Sequence, residues 1–190
     1  HFPSLIHKQE STEANSSELQ QTEQKKDVPA DHQERYSAQS PLDNSIVDGH
    51  IGQAIHLTGD HPVTTPVGNF SRSDPFSISC WIKIPSSFNR AVIFHRSKAW
   101  TDAGSRGYEL IIDQDHLRWS LIHFWPGDAA SIRMTEQVPM NRWIHIVVSS
   151  DGTGLADGLT IALDGHQAKT EVLQDNLTRT ILGGGGNTIK

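Results

Sequence analysis

From about residue 51 onward, apolar and polar side chains alternate in short runs. In the run FSISCWIKI (76–84), every second residue is apolar, from Phe76 to Ile84. A period of two is typical of a strand with one buried face. The predicted strands are 53–57, 76–84, 90–97, 107–113, 116–125, 142–150 and 159–165. Asp-Gly pairs between the later strands predict turns, and no apolar stripe of helical period follows residue 50. The predicted fold class is all-β, an antiparallel sandwich or barrel.

The predicted strand 116–125 ends at an abrupt turn, Pro126-Gly127-Asp128. Strict alternation places two sets of side chains on opposite faces: Leu117, Trp119, Leu121, His123 and Trp125 on one, and Arg118, Ser120, Ile122 and Phe124 on the other. Two interpretations of this ending are open. The aromatic residues close the core above an ordinary turn, or the strand delivers them to a loop that holds a ligand.

Residues 1–45 differ from the rest of the chain, because they are polar and rich in Gln and Glu. Such a composition does not bury enough apolar surface to repay the entropy of ordering, so we predict a mostly unstructured, flexible acidic tail or linker. The tail carries eight acidic and four basic residues, which is −4 of the net charge of −6. Little charge is left for residues 46–190, which argues against nucleic acid and anionic membranes as partners.

Two further features limit the function classes. Cys80 is the single cysteine, so an internal disulfide is excluded, and its place in an apolar strand predicts a buried, unreactive thiol. No run reaches the roughly 20 apolar residues of a membrane helix, so membrane insertion is not expected.

The run NRWIHIVVSSDGTGLADGLTIALDG (141–165) resembles the central hairpin of laminin-G-like, concanavalin A-like jelly-roll domains. The match is carried by Trp143, His145, Asp151, Gly152, Leu163, Asp164 and Gly165. GQAIHLTGDHPVTTP and DPFSISCWIKIP are similar to earlier strands of that family. VIFHRSKAWTDAGSRGYELII, SLIHFWPGD and DNLTRTILGGGGN resemble the version found in large planctomycete multidomain proteins with cytochrome-c-type domains.

The resemblance covers residues 46–190 and implies one jelly-roll domain in a longer, exported protein. It therefore predicts an extracytoplasmic location, periplasmic or secreted, and neighbouring domains as partners. Members of the family continue past the Gly-rich turn into closing strands, so we expect this domain to lack one or more of them.

Catalysis is not expected, although the same fold hosts glucanases. Hydrolases need two carboxylates about 5–9 Å apart across a glycosidic bond. In the related glucanases these come from a Glu-x-Asp-x-x-Glu strand, and the chain has none. Glu109 and Asp113 share a predicted strand face, but they fit a solvated surface better, and no Gly-x-Ser-x-Gly motif is present.

Calcium is the one cofactor that the resemblance brings into consideration, since laminin-G-like domains often hold it at the rim of the sandwich. Asp60, in a Gly-Asp turn, and Asp102, in AWTDAGSRG, are the candidate ligands. The alternative is that each Asp caps its own turn.

The candidate ligand site combines the loop 99–110 with the end of the strand 116–125. Its residues are Trp100, Asp102, Arg106, Tyr108, His123 and Trp125. Aromatic rings and planar polar groups are what a sugar site needs. The alternative is an internal brace, in which Asp102 pairs with Arg106. The sequence thus predicts a non-catalytic recognition module, most simply for a polysaccharide or glycan. The second hypothesis is a structural or protein-interaction domain, and a glycoside hydrolase comes last.

Overall fold

The computed structural model describes residues 44–59, 61–97 and 106–183. Residues 1–43 of the predicted tail lie outside these ranges, as do the candidate residues Asp60, Trp100 and Asp102. The boundary that we predicted between residues 45 and 46 stays a prediction, and the first described strand begins at Ser45.

Eleven strands make up the regular structure of the described residues. They are β1 Ser45–Asp48, β2 Gln53–His56, β3 Phe76–Lys83, β4 Arg90–Ser97, β5 Gly107–Asp113, β6 His116–Phe124, β7 Asp128–Met134, β8 Trp143–Ser150, β9 Leu159–Leu163, β10 His166–Gln167 and β11 Thr170–Asp175. A short 3-10 helix at Ala156–Gly158 precedes β9, and the described part of the chain contains no α-helix. In that same part, no helix is long and apolar enough to cross a membrane.

The strands form two main antiparallel sheets and one hairpin. One sheet has the order β10-β9-β8-β3, the other has the order β11-β7-β6-β5-β4, and β1 pairs with β2 alone. The prediction of an all-β antiparallel sandwich is confirmed. Its two layers are joined by more than apolar packing, because the indole Nε1 of Trp119 in β6 donates to the carbonyl of Ser149 in β8, 3.1 Å away.

The core lies between the two sheets, and alternation explains most of it. In β8 the residues Ile144, Ile146 and Val148 are buried, and in β6 so are Leu117, Trp119 and Leu121. These inward faces supply most of the apolar burial that stabilises the fold.

Alternation fails at the end of β6. The pairing with β7 shifts register between Ile122 and Phe124, which means that His123 is an extra residue in its strand. Such a bulge reverses the sides that the following side chains face. Our placement of Trp125 on the same face as Trp119 is therefore wrong: its ring lies against Arg118, which is on the opposite face.

The segment after β11 returns along the end of the β6–β7 hairpin. Leu177 and Ile181 anchor it in the core. Asn176 fixes its start, because its backbone N–H donates to the carbonyl of Ala129 at 2.9 Å and its Oδ1 accepts from the N–H of Ala129 at 3.0 Å. Residues 123–128 and 176–180 are thereby held side by side at one end of the sandwich.

Candidate functional site

An open cleft of about 450 Å³ lies where these two segments meet the start of β5. Its walls carry mostly polar side chains, namely Arg106, His123, Phe124, Asp128, Asn176, Thr178 and Arg179. The cleft is a surface feature at the end of the five-stranded sheet, distinct from the core.

His123 is held at the back of the cleft by two partners. Its Nδ1 lies 2.7 Å from the carbonyl oxygen of Thr180, and its Nε2 lies 3.3 Å from Nη2 of Arg106. A carbonyl can only accept and a guanidinium can only donate, so Nδ1 carries the proton and Nε2 accepts. In this arrangement the imidazole orients Arg106.

Asp128 forms the floor of the cleft and caps the returning segment. Its Oδ1 accepts from the backbone N–H of Thr178 at 2.6 Å and of Arg179 at 3.3 Å, and its Oδ2 accepts from the Thr178 hydroxyl at 3.2 Å. The hydrogen bond from the Thr178 N–H is the largest cause that lowers the pKa of this carboxyl, and partial burial opposes it. Asp128 therefore holds the cleft together and has little capacity left for a ligand.

Phe124 stands at the mouth of the cleft, with 63% of its side chain exposed. The bulge at His123 changes the side that this ring faces, and Gly127 beside it has no side chain to cover it. A large apolar ring this exposed next to polar groups is a feature of binding surfaces.

The family of this domain follows from comparison with known proteins. The family described as the concanavalin A-like lectin/glucanases superfamily matches residues 57–188, more than two thirds of the chain. The chain belongs to this superfamily. A comparison with curated proteins found no match.

The superfamily includes glucanases, so the partners of the carboxylates on the outer face of the five-stranded sheet bear on the question of catalysis. Glu109 and Asp113 both accept hydrogen bonds from Arg118, at 3.0 Å each. The ring of Trp125 covers that guanidinium, 4.7 Å from its central carbon, and is itself half-buried. A glycosidase needs one carboxyl free to give a proton and another free to attack or to activate water. Here a single arginine occupies both.

The assignment of Tyr108 to the candidate ligand site is wrong, because its side chain is buried in the core. Its exposure is 0%, and its hydroxyl donates to the carbonyl of Gly68 at 2.7 Å. Burial raises the pKa of this phenol to about 12. Arg106 precedes it by two residues, is partly buried and lines the cleft, and Gly107 between the two has a φ of 148°.

The structure therefore brings together two of the predicted site residues, Arg106 and His123. Trp125 lies nearby but braces Arg118, while Trp100 and Asp102 lie outside the described residues. Sequence reasoning missed the other six residues that line the cleft: Phe124, Gly127, Asp128, Asn176, Thr178 and Arg179. The run DNLTR was noticed only as a family resemblance. A polar turn after a short strand carries no sign of which distant turn it will contact.

Metal-ligating groups and the reactivity of the cysteine can be assessed for the described residues. The described residues contain no group of three or more His, Cys, Asp or Glu side chains placed to hold a metal ion. The calcium candidates Asp60 and Asp102 lie outside the described residues. Burial raises the pKa of the Cys80 thiol to about 11, so the reactive thiolate is scarce at neutral pH.

Proposed function

We propose that this domain is a non-catalytic carbohydrate-recognition module and that the saccharide binds in the cleft at the end of the β6–β7 hairpin. The observation that carries the proposal is the exposed ring of Phe124 beside a cleft that contains two guanidinium groups and an amide. Sugars bind proteins by laying an apolar face on an aromatic ring while planar polar groups hydrogen-bond their hydroxyls.

The polar groups of the cleft are fixed before any ligand arrives. Thr180 orients His123, which in turn orients Arg106, and Asn176 is held by two hydrogen bonds to Ala129. Pre-formed geometry lowers the entropy lost on binding, which matters for a saccharide that gains little from each contact.

The test is a binding screen against soluble neutral and acidic polysaccharides, read by affinity electrophoresis and calorimetry. We expect the wild-type protein to bind at least one of them and Phe124→Ala to weaken that binding by about tenfold, the effect of losing one stacked ring. Phe124 is exposed, so its truncation should leave the melting temperature nearly unchanged.

Trp81→Ala is the matched control, because Trp81 is also an exposed aromatic residue but lies on the four-stranded sheet. This variant should bind like the wild type. Absence of binding to every polysaccharide by a folded protein would refute carbohydrate recognition, and equal losses in the two variants would refute the location of the site.

A second candidate function is a structural or protein-interaction domain. It is favoured by the exposed apolar side chains of the β1–β2 hairpin, among them Ile46, Val47 and Ile51, which is 78% exposed. Apolar side chains concentrated on one exposed element are common at protein interfaces. A folded protein that binds no polysaccharide would leave this function as the better one.

The proposal includes a place outside the cytoplasm and neighbouring domains in a longer chain. Both rest on the sequence resemblance to exported multidomain proteins. Fractionation of cells that make the natural full-length protein would test the location, and recovery with the cytoplasmic fraction would contradict it.

A further inference from the structure

We propose, on the basis of the carbohydrate site proposed above, that the cleft selects acidic saccharides. Arg106 would bind the carboxylate or sulfate group of such a sugar, and Arg179 would assist. The inference concerns the chemical class of the ligand, which the fold alone does not indicate.

The first step is the pairing of the arginines. Arg118, Arg133 and Arg142 each donate to a carboxylate at 3.0 Å or less. Arg106, in contrast, donates to the imidazole Nε2 of His123 at 3.3 Å, and no carboxylate among the described residues pairs with it. A guanidinium has five N–H donors, so most of those on Arg106 remain for a ligand.

The second step is the charge of the cleft. Asp128 is the one carboxylate among the described lining residues, and two backbone N–H groups and a hydroxyl already occupy it. Arg179 reaches it at 3.4 Å but is 72% exposed, which leaves part of its guanidinium open to a ligand. The cleft is therefore positively charged in a chain whose net charge is −6.

The third step is selectivity. A negatively charged chain does not attract polyanions in general, so binding of an acidic sugar would require this local site. Carboxylate and sulfate oxygens match the fork of a guanidinium, and charge-assisted hydrogen bonds are about twice as strong as neutral ones. Neutral hydroxyls would gain less from Arg106.

The experiment compares polysaccharides that differ only in charge. Polygalacturonate is paired with its methyl ester, and dextran sulfate is paired with dextran, all at about 0.15 M salt. We expect at least one acidic member to bind about tenfold more tightly than its neutral counterpart, and Arg106→Gln to abolish that preference. The two pairs distinguish a carboxylate from a sulfate.

Lys83→Gln is the matched control, because it removes one positive charge from the exposed face of the other sheet. It should keep the full preference, and Arg106→Lys should keep part of it, since the charge remains but the fork is lost. If Arg106→Gln does not fold, Arg179→Gln serves as the second variant, because its side chain is largely exposed.

The outcomes separate this inference from the proposed function. Binding of neutral polysaccharides through Phe124, with no preference for the acidic members, would overturn the acidic class and leave the sugar site intact. An equal loss in Lys83→Gln and Arg106→Gln would overturn it as well, since the effect would then be one of net charge. Failure to bind any polysaccharide would overturn both.

Discussion

Phe124 and Trp125 are neighbours in sequence, but their rings have different surroundings. Phe124 is exposed at the cleft, whereas Trp125 is half-buried against Arg118. The side chain of Arg118 is 11% exposed and its guanidinium pairs with two carboxylates, so the indole shields a charged cluster from water. Trp125 thus packs against Arg118 on the outer face of the sheet and does not close the core, and Phe124 supplies the exposed ring.

Replacing Trp125 by Ala should therefore reduce stability. We expect Trp125→Ala to lower the free energy of unfolding by about 1–3 kcal/mol, from the lost cation–π contact and half-buried ring area. Urea denaturation measures this. Phe124→Ala should cost less than about 0.5 kcal/mol, and Trp119→Ala, in the core, about 3–5 kcal/mol. A Trp125→Ala variant as stable as the wild type would contradict the brace.

Asp128 makes the stability of the cleft dependent on pH. Its pKa is lowered in the folded state, mainly by the Thr178 N–H, so its contribution is fully present above the ordinary Asp pKa of about 3.9. The contribution is lost as the pH falls through the folded-state pKa. We therefore expect Asp128→Asn to be less stable than the wild type at neutral pH, with a difference that shrinks toward low pH.

Urea midpoints for both proteins between about pH 2 and pH 7 measure this difference. Three other Asp side chains, Asp115, Asp151 and Asp164, also have lowered pKa values, so the wild-type curve alone does not isolate Asp128. A deficit that stays constant across the pH range would show that the Asp128 charge has no role.

At the scale of elements, the pairing of β4 with β5 depends on a glycine. Gly107 pairs with Ser97 at the end of the ladder and has a φ of 148°. A Cβ at this position would overlap the carbonyl oxygen of Arg96. Arg106, which lines the cleft, immediately precedes this close approach of the two backbones.

Gly107→Ala should therefore destabilise the fold by about 2–4 kcal/mol, because both backbone strain and overlap oppose it. Gly165→Ala is the control: φ there is 83°, but nothing lies within 4 Å of the added carbon. It should cost about 1 kcal/mol, the penalty of a left-handed conformation alone. Equal costs in urea denaturation would contradict the role given to the overlap with Arg96.

The strands that the sequence predicted have a clear alternation of apolar and polar residues, and β7 and β11, which it did not predict, lack one. All seven predicted strands are present, and 90–97 and 107–113 agree to the residue. β7 was missed because its buried residues include Ala129, Ala130 and Ser131, which are too small to form an apolar pattern. β11 was missed because it is a polar strand at the sheet edge, where little burial constrains its sequence.

At the scale of the whole molecule, calcium binding would change the thermal stability of the protein. If a calcium ion binds at Asp60 or Asp102, chelation should lower the melting temperature and added calcium should restore it. A ligand that binds only the folded state at about 100 times its dissociation constant adds about 2.7 kcal/mol. Asp60→Asn and Asp102→Asn, measured with and without calcium, would identify the ligand. A melting temperature that ignores both chelator and calcium would remove the proposal.

The sequence by itself determined the fold class and most of the core of this protein. Alternation in β6 and β8 is a local property, because a strand that buries one face must place an apolar residue at every second position. The family match, over residues 57–188, contains all the strands of both main sheets, β3 to β11.

Only the tertiary structure decided the site. The cleft joins Arg106, the β6–β7 turn and a segment that lies about 50 residues further along the chain, through bonds such as that from Thr178 to Asp128. Because His123 is an extra residue in β6, Phe124 and Trp125 each lie on the side of the sheet opposite to the one that alternation predicts. No local sequence pattern predicts such a bulge. Which polar turns meet is determined by how the sheets pack, and that depends on the whole chain.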